Sequence, residues 1–119
     1  VRALRPDFRQ LVELGCRGVI VTSTSQDRRF DFVSRFFAPG VGVDEDPVTG
    51  SAHCCLGPYW GERLGKSEMT AFQASSRGGV VRVRVSGERV ILGGQAVTVL
   101  RGELTQAAAA RLAFPHDSA

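Results

Sequence analysis

The chain has 119 residues, 43% of them hydrophobic and 23% charged, with 15 basic against 12 acidic side chains and a formal net charge of +3. That is enough for one globular domain, expected over residues 1–119, and too little for two well-packed ones. The basic residues are scattered and no apolar run approaches the ~20 residues of a membrane span, which sets aside nucleic-acid binding and membrane insertion as expected functions.

In chain order, Pro6 to Leu14 carries Phe8, Leu11, Val12 and Leu14 near helical spacing, with Pro6 at a plausible first-turn position. Val19–Thr22 reads as a short buried strand. Phe30–Phe37 alternates as a half-buried strand, with Phe30, Phe32 and Phe36 on one side and Asp31 and Arg35 on the other. Ala38 to Val43, with Pro39, Gly40 and Gly42, is a loop leading to an acidic group, Asp44, Glu45 and Asp46. From Ser51 to Leu64 the positions Ala52, Leu56, Tyr59, Trp60 and Leu64 fit a helix, and Gly65 suits its left-handed stop. Pro58 predicts either a kink or two shorter helices separated at Gly57–Pro58. Because Ala52 to Tyr59 is apolar nearly all round, this helix is expected to lie buried inside the domain.

After Lys66 the pattern becomes β. Met69–Gln73 is a strand, Arg77-Gly78-Gly79 a turn, and Val80–Val85 alternates valines against Arg82 and Arg84. Ser86-Gly87-Glu88 connects to Arg89–Leu92, and after Gly93-Gly94 a strand over Gln95–Leu100 is expected to complete a meander. Leu104 to Leu112 is Ala-rich and predicts a terminal helix, and Phe114–Ala119 a frayed tail. The expected class is α+β, a mostly antiparallel sheet wrapping a central helix.

The chemistry concentrates at the start of that helix. Thr49 or Ser51 can cap the first turn, and Gly50 permits close approach of a ligand. The first amides of a helix lack internal acceptors and sit at the positive end of its macrodipole, so an anion is welcome at Thr49–Ala52. Asp46 lies beside them as a candidate acid/base group, the bland alternative being a solvated acidic turn. His53 falls in the first helical turn and is more simply a packed residue than a ligand. Cys54 and Cys55 point about 100° apart on a helix, a poor metal pair, and are read as small buried hydrophobes. No metal is expected. Three cysteines, two of them adjacent, suit a reduced, cytoplasmic protein better than a disulfide scaffold.

The run EDPVTGSAH (Glu45–His53), with Pro58–Trp60, Leu64–Lys66, FQASSRGG (Phe72–Gly79), GGQAVTVLRGEL (Gly93–Leu104) and the preceding FVSRFFAPGVGVDEDP (Phe32–Pro47), resembles the phenazine-biosynthesis-like isomerase family. The resemblance implies a diaminopimelate-epimerase-like fold of two similar halves, each a curved sheet around a central helix, with the active site in the cleft between them. It implies a cofactor-independent isomerase acting on a small carboxylate-bearing metabolite. Asp46 would assist proton transfer, and Gly50 and Ser51, with Thr49, Ala52 and His53 around them, would hold the substrate. Thr49 stands where related epimerases carry a cysteine, so two-cysteine racemisation is not expected. The family's principal glutamate belongs to an N-terminal half that no segment here matches. The chain is therefore expected to be a C-terminal half with an incomplete site, weakly active or inactive alone, forming a homodimer or pairing with the missing half. The alternative is a non-catalytic interaction module derived from that family.

Overall fold

A computed structural model describes residues 1–103 and 105. The expected helix over Leu104–Leu112 and the tail after it lie outside the described residues, apart from Thr105. The chain opens with a short helix, α1 (Phe8–Glu13), whose cap is Asp7 rather than Pro6; the proline precedes the cap instead of entering the first turn. Strands β1 (Val19–Thr24) and β2 (Phe32–Phe37) follow, then helix α2 (Gly50–Leu64), then β3 (Glu68–Gln73), β4 (Gly79–Ser86) and β5 (Arg89–Gly93). The five strands form one curved sheet in the order β1-β2-β3-β4-β5. All neighbours are antiparallel except β2 and β3, which run parallel because α2 crosses over between them.

The crossover lays α2 on one face of the sheet. Phe32, Leu56, Trp60, Met69, Ala71, Val81 and Val83 form the main core cluster. Phe32 and Trp60 stack at 5.8 Å between centroids, and the Trp60 indole N–H donates to Thr22 Oγ1 at 2.9 Å. Val81 and Val83 face this core while Arg82 and Arg84 face solvent, as the alternation predicts. Phe37, on the opposite face of β2, meets Phe8 of α1 at 6.3 Å.

Four expectations are corrected. Helix α2 is one helix through Pro58, so of the two outcomes expected there the split into two shorter helices is overturned. The proline is on the exposed side, where water can take up the carbonyl freed by the missing N–H. Nor is the helix buried all round: Ala52, His53, Leu56, Gly57 and Trp60 make the stripe facing the sheet, while Cys54 and Cys55 are exposed free thiols rather than core residues. Phe30 lies outside β2 and stacks on the outward-facing Phe72 at 5.1 Å, so it does not share the face of Phe32 and Phe36. Gln95–Leu100 is not a strand: Val97 is 85% exposed and Val99 93%. Alternation marks a segment able to be a strand, but a strand also needs a neighbouring edge.

Candidate functional site

The site is the loop from Glu45 to Thr49 and the helix start it feeds. The sequence folds this way because β2 ends at Phe37, Pro39–Val41 forms a 3-10 turn, and Gly42 takes a left-handed φ of 83° that brings Val43 back to pair with Ala38. The acidic triplet then divides its labour. Asp44 faces solvent. Glu45 receives two hydrogen bonds from the Arg35 guanidinium, at 2.7 and 2.9 Å, and this pair is largely shielded from water. Arg35 also donates to the carbonyl of Leu4 at 2.8 Å and lies over the Phe37 ring, tying the N-terminal segment to the loop. Asp46 is left to face the helix start, its backbone N–H anchored on the Phe36 carbonyl at 3.0 Å.

Thr49 is the N-cap of α2, yet its side chain caps nothing. Its hydroxyl donates instead to Asp46 Oδ2. The amides of Gly50, Ser51 and Ala52 therefore lie in an uncapped first turn at the positive end of the helix, next to a half-buried carboxylate. Gly50 and Ser51 are exposed, Ala52 is buried against Phe36 and Ala38, and Arg17 reaches the Ser51 hydroxyl at 3.3 Å. Such a mouth can hold a small anion on backbone N–H groups while keeping a proton acceptor within the same turn.

His53 is placed differently from its neighbours. It is fully buried, its Nδ1 lies 2.7 Å from the Thr49 carbonyl, and its ring is 6.1 Å from Phe32. A carbonyl only accepts, so Nδ1 carries the proton there and Nε2 is a bare lone pair. Burial pushes its pKa below the ordinary histidine value, only partly opposed by the Thr49 bond. Nε2 and Ser34 Oγ, on the inward face of β2, are the two buried side-chain polar atoms without a partner among the described residues.

Side chains that the sequence reading did not single out hold the loop in place. Gln73, fully buried at the end of β3, accepts from the Thr49 N–H at 2.8 Å and donates to the Asp46 carbonyl at 2.7 Å and to Thr49 Oγ1 at 3.0 Å. Ser75 donates to the Pro47 carbonyl at 2.8 Å. Val48 seats against Gly79, where a Cβ would come within 2.2 Å of Val48 Cγ2. One signal was present: Gln73 is in phase with Met69 and Ala71, and a polar residue on the buried face of a strand must find partners. Among the described residues no group of three or more His, Cys, Asp or Glu is arranged to hold a metal ion.

A helix packed on a curved, mostly antiparallel sheet, its uncapped N-terminus beside a carboxylate, defines the class: an α+β unit. The chain belongs to the phenazine biosynthesis-like protein family (PhzC-PhzF), whose model matches residues 1–102. It is 58% identical over 104 residues to an uncharacterized isomerase of Halalkalibacterium halodurans and 59% identical over 104 residues to one of Pseudomonas aeruginosa. Each match covers 87% of this chain and 39% of the relative, so the chain spans about two fifths of the length of these proteins. A human phenazine biosynthesis-like domain-containing protein is 51% identical over 94 residues, covering 75% of this chain and 33% of that protein. Among solved structures, a phenazine biosynthesis protein of the PhzF family from Enterococcus faecalis superposes with a TM-score of 0.79 at 45% identity, over 88% of this chain and 40% of that one.

Proposed function

We propose that this chain supplies the acid-binding and proton-handling half of a cofactor-independent isomerase acting on a small carboxylate-bearing metabolite. The observation that carries the reading is the open first turn of α2 beside Asp46. In this reading Gly50, Ser51 and Ala52 hold the substrate carboxylate on their N–H groups. Negative charge that spreads toward that carboxylate as a proton leaves the neighbouring carbon is then stabilised where it develops. Asp46 assists the proton transfer, Thr49 orients Asp46, and the buried, neutral His53 supports the turn from behind through the Thr49 carbonyl. The principal acid/base group comes from an N-terminal half that closes over the mouth. Proton removal and return at different carbons leaves the oxidation level unchanged, so the reaction needs no redox cofactor. The free, exposed cysteines suit a reducing, cytoplasmic setting. No helix among the described residues is long and apolar enough to cross a membrane.

The test joins this chain to a relative's N-terminal half and offers small unsaturated and hydroxylated carboxylic acids in D2O. Deuterium incorporation that vanishes in Asp46→Asn supports the reading; incorporation indifferent to that change contradicts it. A second reading, a binding module, is favoured by the exposure of Val97, Val99 and Leu100 after β5. It predicts a homodimer, or a complex with an N-terminal half, burying at least ~1,000 Å². A monomer in sedimentation that ignores an added N-terminal half would count against it.

A further inference from the structure

We propose that Gln73 is the positioning residue of this site: it fixes the direction of a hydrogen-bond chain running from Gln73 through Thr49 to Asp46. The inference rests on the reading of Asp46 as the proton-handling group and adds how that group is aimed.

The direction follows from which atoms can donate. The Thr49 backbone N–H can only donate, so the Gln73 atom 2.8 Å from it is the amide oxygen. The Asp46 carbonyl can only accept, so the atom 2.7 Å from it is the amide nitrogen, Nε2. Both constraints select the same orientation of the amide group, which leaves no alternative flip. The second Nε2 proton then points to Thr49 Oγ1 at 3.0 Å, and the hydroxyl accepts there. A hydroxyl has one proton, and Thr49 directs it to Asp46 Oδ2. Oδ2 is thereby occupied by a donor, while no hydrogen bond among the described residues reaches Oδ1. The chain thus selects Oδ1 as the oxygen available to exchange a proton with a ligand seated on the first turn of α2.

The same contacts explain why the cap is open. A threonine at an N-cap ordinarily turns its oxygen onto the amides of its own first turn. Here Gln73 and Asp46 engage that hydroxyl, so α2 is left uncapped. Gln73 is fully buried on the sheet, 24 residues from Thr49 in the chain, so the orientation is set by the rigid strand and not by the loop it controls.

The test is NMR of the chain itself, labelled with carbon-13 and nitrogen-15, with no ligand present. In the unaltered protein, acid titration of the Asp46 carboxyl should move the Gln73 Nε2 proton resonances in step; Gln73 resonances that stay fixed while Asp46 titrates would overturn the proposal. Gln73→Glu retains an acceptor for the Thr49 N–H but presents no donor to Oγ1 in its ionised form. The Asp46 carboxyl carbon should shift in Gln73→Glu and in Thr49→Val, and the double variant should match Thr49→Val alone. Additive shifts in the double variant would mean that Gln73 acts on Asp46 directly, through its own bond to the Asp46 carbonyl or by packing, and not through Thr49, which would overturn the proposal. Thr49→Ser, which keeps the hydroxyl, should restore the original Asp46 resonance. Failure of the acid-binding reading would show separately, as the absence of acetate-induced shifts at Gly50, Ser51 and Ala52.

Discussion

The two α-helices among the described residues begin in opposite ways. At α1, Asp7 turns its carboxylate onto its own first turn and accepts from the N–H groups of Arg9 and Gln10 at 3.0 and 3.3 Å. At α2, more than twice as long, the cap residue Thr49 turns away and leaves its amides uncapped. Capping is worth about 1 kcal/mol, and α2 forgoes it at the end of the helix where Asp46 stands. At α2 the cap hydroxyl is engaged instead by Gln73 from the sheet and by Asp46 from the loop. The comparison separates a terminus closed by its own cap residue from one whose cap residue is engaged elsewhere.

The largest way to break this contrast is Gln73→Leu. It strands the buried Thr49 N–H and the Asp46 carbonyl together, and unfolding stability should fall by ~3 kcal/mol in urea melts. Next is Gly79→Ala, whose Cβ would strike Val48; overpacking of this kind costs ~1–3 kcal/mol. It should also shift the amide resonances of Asp46 to Thr49, and adding Val48→Ala should recover most of the loss. Asp7→Ala should cost about 1 kcal/mol by opening α1, with no change in anion binding at α2.

A smaller effect concerns pH. The folded pKa of His53 lies below its ordinary value of 6.5, with burial as the main cause. Between the two values the unfolded chain binds more protons than the folded one, so stability rises with pH there. The His53 contribution is therefore complete above pH 6.5 and is lost as pH falls from 6.5 through the folded value. Thermal melts from pH 8 downward should show that decline, and His53→Phe should flatten it. The ion pair of Asp31 with Lys66 does not interfere. Burial raises the Asp31 pKa, but hydrogen bonds from Lys66 and Thr70 outweigh it and hold the group below 3.8, a lower pH range.

Much of this was legible in the residues themselves. The valine alternation of β4, the stop at Gly65 with φ 64°, and the approach of Asp46 to the helix start all follow from short-range pattern. What was not legible depends on residues far apart in the chain. That Thr49 would cap nothing is decided by Gln73, and the fate of Glu45 by Arg35 on β2. The exposure of Cys54 and Cys55 depends on which face of α2 the sheet covers, which an apolar run alone does not specify. Gln95–Leu100 has a strand's alternation, but no sequence pattern supplies the edge it would need.

The most direct measurement follows backbone amide resonances while acetate is added, with neutral acetamide as control. Saturable shifts at Gly50, Ser51 and Ala52 with acetate alone, and none at Arg9 and Gln10 of the capped α1, are the predicted result. Equal responses at both helix starts, or none at α2, would contradict the claim that this terminus is kept open for an acid.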